Sequence, residues 1–533
     1  MKKSNNGRKN QIFYSRLAFH VMTIVLFLCV VTAAQSTVLG TPFGERLSAE
    51  VSPEKQVLRH SEVVFMYAAD EDAYRAYNAT FVAWGGANTA EQVKRHHDMG
   101  IRCTGSMWCL TAGAENIHKN PSLRNACAID IEGKPVEVPW LFDHTYQGTK
   151  TYFGCTNHPE FRSLCRQRVR QAMAGKADGL HIDDHLGTAG AAWWQGGGFC
   201  DFCMKAFREY LKQHATKEQL ESAIGGPVLD IDTFDYRVLV RKYAKTRSEY
   251  KKVQHEIPLM DLFLDFQAAA AAEHTRQLGL VAEEVVGHPV LLSANACIPN
   301  KAHEYVIKNL THIVCEVNQN AWAGVDKTDH AIEAYRLATK LGKPLAATAS
   351  GQDWAYVKEN GCEELVRFWI ALAYAHGQRF MVPHPKRQWC FNNKLGTHWY
   401  AAPIEAYAPL YRFIRAQSQW FDGFQVVELE RLNTPKDVLC VVRRKPDSQQ
   451  TVLHVLNCNY DKDKKRMNPL TQVKISFSLK GYFIEEPSMP DVRGQARILS
   501  YDAPEQRIAV QRRNGVTEIT LPELKLWKLI IVD

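Results

Sequence analysis

Eight short apolar runs, most of them followed by a helical pattern, predict an α/β fold: a (β/α)8 TIM barrel with a C-terminal antiparallel β-sandwich. Three observations carry that prediction. Strand and helix patterns alternate between about residues 60 and 425, the order that gives a parallel sheet wrapped in helices. The stretch Asp178-Gly179-Leu180-His181-Ile182-Asp183-Asp184-His185 is a short buried-strand pattern that stops abruptly in carboxylates and imidazoles. Parallel barrels present reactive groups at the C-terminal ends of their strands. From about Val426 the period changes to two, with turn-rich charged links, as in an antiparallel sandwich.

Taken in order, Val63–Tyr67 and Ala79–Trp84 supply the first two strands. Asn88-Thr89 caps a helix over Ala90–Met99, Gly100 ends it, and Ile101–Ser106 is the third strand. A long excursion from Met107 to Asn157 holds Trp108, Trp140, Asp143 and His144. Asn157-His158-Pro159-Glu160 opens a helix over Phe161–Ala174, and Gly179–Asp183 is the fourth strand. A second insertion carries Trp193-Trp194, a triple-glycine turn and Cys200-Asp201-Phe202-Cys203, then a helix to about His214 and a helical segment broken near Pro258. Pro289–Ala294, His312–Glu316, Pro344–Thr348 and Arg379–Val382 complete the eight, with helices at His303–Lys308, Asp329–Leu341 and Glu363–His376. The two insertions account for a span longer than the usual roughly 250 residues. Seven alternating runs, from Val438–Arg443 to Leu526–Val532, make the sandwich. The expected division is a leader (1–36), a barrel (60–425) and a sandwich (426–533).

Composition bounds the function. With 46% hydrophobic and 10% aromatic residues, the 533-residue chain is globular. Its net charge of +8 includes five cations before residue 37, where no acid occurs, so the remainder carries only +3. No concentrated basic stripe points to nucleic acid. The leader has a Lys/Arg-rich start, an apolar run over Leu17–Ala34 and a small-x-small site at Ala34-Gln35-Ser36, the layout of a signal peptide. An uncleaved anchor is the competing reading, since eighteen mostly apolar residues can just cross a bilayer. Export to a periplasmic or extracellular space is expected, with no stable membrane span after cleavage. Fourteen cysteines become thirteen without Cys29, an odd number that cannot pair completely. Nothing in the sequence sets the oligomeric state.

The acids suggest a chemistry. Cutting a glycosidic bond takes two carboxyl groups, one to protonate the leaving oxygen and one to attack or activate water. Asp183 ends the fourth strand and Glu316 the sixth, so both are expected at one rim, with Asp183 as nucleophile and Glu316 as general acid/base. Strand alternation puts His181 beside Asp183 and turns Asp184 to the opposite side, to hold a loop or cap a turn. Trp84, Trp108, Trp354 and Trp389 lie at or just past strand ends, where flat rings can stack on sugars or pack in the core. Asn295, Asn318, His384 and Lys386 follow strands five, six and eight and are candidate donors to hydroxyls. Asp353, beyond strand seven, is a reserve carboxylate. A catalytic metal at His181, Asp183 and His185 needs a bend, because the two imidazoles face opposite ways on a straight strand. A non-catalytic carbohydrate-binding protein is the other alternative.

The pattern His181-x-Asp183 resembles the Lys-x-Asp of the α-galactosidase clan and the Arg-x-Asp of the α-amylase family, in which the strand-four Asp is the nucleophile. The clan takes its acid/base from strand six, where Glu316 falls, although it uses Asp there. The run from Asp178 through Gly198-Phe199-Cys200-x-x-Cys203 into Phe207-Arg208 is similar to hypothetical glycosyl hydrolases grouped near the family 42 β-galactosidases and the α-L-fucosidases. Family 42 departs from the pattern, with a Glu acid/base on strand four and a Glu nucleophile on strand seven, where this chain has Leu345-Ala346-Ala347-Thr348. The resemblance implies a carbohydrate substrate and no cofactor for catalysis. It also implies a structural zinc, since family 42 enzymes carry a cysteine-bound zinc in this region. Cys200 and Cys203 have the spacing of half a zinc site, with Cys109 and Cys155 as the matching donors; a disulfide is the competing use of the pair.

Overall fold

The computed structural model describes residues 58–107, 111–226, 230–446, 450–479, 492–513 and 515–532. The expected leader, Trp108 and Cys109 lie outside them. Eight parallel strands form the first part: β1 (Val64–Phe65), β2 (Phe81–Val82), β3 (Arg102–Met107), β4 (Gly179–Ile182), β5 (Leu291–Ala294), β6 (Ile313–Val317), β7 (Leu345–Ala349) and β8 (Arg379–Phe380). They pair as a five-stranded sheet, β1 to β5 in chain order, and a three-stranded sheet, β6-β7-β8. Single parallel bridges, Asn295↔Val314 and Phe65↔Val382, link the sheets at both seams.

Alternation along these strands sorts the side chains into two cores. Leu180, Ile182, Leu292, Ala294, Ile313, Cys315, Leu345 and Ala347 pack outward among the helices. Val64, Met66, Phe81, Ala83, Leu291, Val314, Ala346 and Met381 pack inward on one another. Both faces are therefore dry, which explains why these strands are continuous apolar runs. The helices start and stop where local chemistry requires. Thr89 and Gln92 form a reciprocal capping box on Ala90–Asp98, and Pro159 occupies the first turn of Pro159–Ala172.

The two insertions are built differently from each other. The first folds around a short strand pair, Thr111–Ala112 with Tyr152–Phe153. The second has its own core of Phe199, Phe207, Tyr236, Tyr250 and Phe263. Its last helix, Met260–Val286, begins just after the break at Pro258. Beyond β8 comes an antiparallel hairpin, β9 (Gln388–Asn392) with β10 (Gly396–Tyr400), and then the helix Ile404–Ala416.

The C-terminal part is one nine-stranded antiparallel sheet: β11 (Gln425–Val426), β12 (Leu429–Asn433), β13 (Val438–Arg444), β14 (Thr451–Asn457), β15 (Leu470–Leu479), β16 (Val492–Leu499), β17 (Gln506–Arg513), β18 (Val516–Leu524) and β19 (Trp527–Val532). Their order is β11-β13-β14-β19-β16-β17-β18-β15-β12. It is sandwich-like: inward residues of β13 to β19 share one core, in which Val438, Cys440 and Val442 meet Ile475, Ile519 and Ile530. Val441, Val452, Leu456, Leu529 and Ile531 point the other way, into the α/β core. Arg443 fastens this junction, donating to the carbonyls of Tyr374, Phe421 and Phe424. Among the described residues, no helix is long and apolar enough to cross a membrane.

Candidate active site

The C-terminal strand ends open into a cavity of about 510 Å³, walled by Tyr67, Trp84, Trp140, Trp194, Trp389 and Trp399, with Asp183, Asp184, Asn295 and Glu316 among its polar groups. Asp183 follows β4 directly, Asn295 follows β5, and Glu316 lies near the end of β6. They share the inward face, two residues beyond His181, Ser293 and Val314 respectively. Asn295 stands between the acids: its Nδ2 donates to Asp183 Oδ1 at 3.3 Å, and its amide also lowers the pKa of Glu316. The Asn295 Oδ1 has no partner among the described residues and can accept from a ligand hydroxyl.

Burial pushes Asp183 up from the ordinary carboxylate range, while the Asn295 amide, the Asp184 backbone N–H and the Trp84 indole pull it back. Burial and then the charge of Asp183 push Glu316 up to about 7. The two acids thus sit in different settings: Asp183 has three donors that favour its charged form, and Glu316 holds its proton near neutrality. Burial, Asp183 and Glu316 also push the Tyr67 phenol up, so it remains a hydroxyl donor at the rim.

Asp184 does not turn away as alternation requires. Strand geometry ends at Ile182, and Asp184 has a left-handed backbone, φ +47°. That kink swings its carboxylate into the same cavity, where the Trp140 indole approaches Oδ2 at 3.5 Å. Burial and the charge of Asp183 push Asp184 well up, which favours its protonated form. His181, in contrast, is fully buried and does not line the cavity. Its ring lies against Trp84, centroids 4.7 Å apart, and its Nδ1 is 3.0 Å from Ser293 Oγ. Burial lowers its pKa to about 3, so it supports the floor as a neutral ring.

The remaining candidates separate cleanly. Trp84, Asn295 and Trp389 line the cavity. Asp353 does not: Oδ2 accepts from Gln319 N and Ser350 Oγ, and Oδ1 from Ala321 N. Trp354 is fully buried, its indole donating to Thr348 Oγ1. His384 is turned to Ala68 O and to the backbone N–H groups of Lys386 and Arg387. Lys386 pairs with Asp70 at the surface, and Asn318 accepts from Asn320 N in its own turn.

The cavity also contains residues beyond those singled out from strand ends. Tyr67 sits just past β1, where the strand-end rule finds it. Trp140, His144 and Phe153 come from the first insertion, His185 and Cys297 from the loops after β4 and β5, and Trp194 from the helix Thr188–Gln195. Thr397 and Trp399 come from the β9–β10 hairpin. Asp143 pins that hairpin to the first insertion by accepting from Thr397 N at 3.0 Å.

Two groups of described residues bring metal-ligating atoms within 4.8 Å of one another: Cys155 with Cys200 and Cys203, and His97 with Cys103 and Asp178. The set His181, Asp183 and His185 is not among them; His185 Nε2 instead lies 3.1 Å from His303 Nδ1. The cysteine group fits a thiolate-bound ion. Cys155 Sγ is 3.4 Å from Cys200 Sγ and 3.6 Å from Cys203 Sγ, all three are buried free thiols, and hydrogen bonds with the other two lower the Cys155 pKa. Cys200 and Cys203 are both free thiols, so the competing disulfide is not formed.

No family model matches the chain. Two curated relatives are similar to part of it. One is an alpha-agarase of Alteromonas agarilytica, 22% identical over 308 residues, covering 55% of this chain and 20% of that protein. The other is an alpha-agarase of Thalassotalea agarivorans, 22% identical over 304 residues with the same coverage. The chain thus spans a fifth of the length of these relatives. Among solved structures, a Paenibacillus cycloisomaltooligosaccharide glucanotransferase aligns over 88% of this chain and 84% of its own, with a TM-score of 0.53 and 10% identity. An α-L-fucosidase of Paenibacillus thiaminolyticus aligns over 89% of this chain and 100% of its own, with a TM-score of 0.50 and 9% identity. At such identities the structures speak to the fold: parallel α/β strands followed by an antiparallel β domain. The special likeness to family 42 is not among these findings.

Proposed function

We propose that the chain is a glycoside hydrolase of a polysaccharide, with an agar-type galactan as the first substrate to test. The observation that carries this reading is the placement of Asp183 and Glu316 on one cavity, joined by Asn295, with Glu316 holding its proton to about pH 7. Asp183 attacks the anomeric carbon as nucleophile while Glu316 protonates the leaving oxygen, and Glu316 then activates water to release the sugar with retention. Asp184, on the same cavity wall, hydrogen-bonds a substrate hydroxyl. The alpha-agarase relatives support the substrate class. The two-sheet arrangement with a bridge at each seam supports a closed (β/α)8 barrel over 60–425, followed by a sandwich domain over 426–533. The leader 1–36 supports export, and N-terminal sequencing of the secreted protein tests it.

Catalysis needs no cofactor in this scheme. Cys155, Cys200 and Cys203 hold a structural zinc, and metal analysis of the purified protein, with Cys203→Ser as control, tests that assignment; Cys109, the fourth donor the resemblance implies, lies outside the described residues. For the reaction, digestion of agarose followed by NMR of the first-formed anomer is the test. Retention is expected; inversion transfers Asp183 to the role of base, and no hydrolysis of any glycan overturns the reading.

A further inference from the structure

Four aromatic side chains continue outward from the cavity in a row that the two-acid chemistry does not use. Tyr67, at the rim, meets Trp399 edge-on with centroids 6.5 Å apart. Trp399 is paired across the hairpin with Trp389, and Trp389 is stacked with Phe391 at 6.0 Å and 19°. Phe391 then meets Phe142 edge-on at 6.0 Å. Trp389, Phe391 and Trp399 share one hairpin face, because Trp389 and Phe391 are two apart on β9 and Trp389 faces Trp399. The row is exposed at both ends: Trp399, next to the cavity, is 48% accessible and Phe142, at the outer end, is 53% accessible. A monomer gains nothing in stability by leaving such rings to water, and exposed apolar patches of this kind mark binding surfaces.

The platform is also rigid. A Cβ at Gly351 would come within 2.5 Å of the Trp389 ring, so the hairpin is seated directly on the backbone that follows β7. Asp143 holds the Phe142 segment to Thr397. Preorganised flat rings with spacings close to one pyranose suit a neutral chain of sugars, whose C–H faces stack on aromatics.

We propose that the row Trp399–Trp389–Phe391–Phe142 binds successive sugar units of a polysaccharide whose cleaved linkage lies between Asp183 and Glu316. This rests on the function proposed above and makes the enzyme one that prefers long chains to short ones. The row is continuous with the cavity through Trp389 and Trp399, which line both, and this continuity argues for a glycan rather than a second copy of the chain as occupant.

The test is kcat/KM on a ladder of agarose-derived oligosaccharides, for wild type and for Phe142→Ala with Phe391→Ala, both of which remove partly exposed rings. The ratio of kcat/KM on the longest to that on the shortest cleaved oligosaccharide is expected to fall about tenfold in the double variant, through KM. Activity with an unchanged ratio overturns the row and leaves the proposed function standing. A wild type inert on every oligosaccharide removes both. A concentration-dependent dimer in light scattering that the double variant abolishes assigns the face to a second copy and overturns the row.

Discussion

Asp183 and Asp353 both follow a buried parallel strand, and they come to opposite uses. After β4 the backbone kinks at Asp184, φ +47°, and the carboxylate of Asp183 is left facing a cavity with Asn295 as its side-chain donor. After β7 the chain enters a helix at once, and Asp353 becomes the capping-box partner of Ser350. Its oxygens are further taken by the N–H groups of Gln319 and Ala321. A strand-end acid therefore faces a cavity where the following backbone kinks away, as after β4, and is taken up structurally where that backbone turns at once into a helix it caps, as after β7.

That contrast can be broken by substitution. Asp183→Asn is expected to lower turnover about a thousandfold or more with the fold intact, and Glu316→Gln by about 10²–10⁴, measured on any glycan the wild type cleaves. Asp353→Ala should do the reverse: denaturant unfolding loses about 2–3 kcal/mol as two buried N–H groups go unpaired, while the surviving folded enzyme keeps its kcat. Since Glu316 must hold its proton to act as acid and its pKa is about 7, kcat/KM should fall as pH rises above 7, a limb that Glu316→Gln removes. Lys386→Ala, which breaks only the exposed pair with Asp70, should leave activity and stability unchanged.

Buried histidines set a stability limit on the acid side. Burial lowers His181, His303 and His376 to about 3. The unfolded chain binds their protons from about pH 6.5 downward and the folded chain does not until about pH 3, so stability is full above 6.5 and is lost between those values. Each contributes on the order of 1 kcal/mol per pH unit in that window. A stability constant in urea that is flat from pH 7 to 4 would contradict this.

The parallel strands are legible in the sequence because both their faces are buried: each apolar run matches its strand to within two residues at either end. The Thr89 cap and the break at Pro258 are legible from local chemistry alone. What escapes is set by tertiary contact. Alternation places Asp184 on the far side, but it holds only inside a strand, and β4 has already ended at Ile182. Trp354 and Trp389 look alike as aromatic residues past strand ends, yet one is inside a helix against the core and the other on a hairpin. The strand β12 escapes because Leu429–Asn433 is mostly exposed and polar, with no apolar face to read. Cys155 lies 45 and 48 residues before Cys200 and Cys203, which start a helix, so only the Cys200–Cys203 spacing is visible.

The most direct measurement is turnover of agarose-derived oligosaccharides by wild type, Asp183→Asn and Glu316→Gln, each checked by near-ultraviolet circular dichroism for an unchanged fold. The account predicts hydrolysis by the wild type and its collapse in both variants. Wild-type turnover in either folded variant would contradict it.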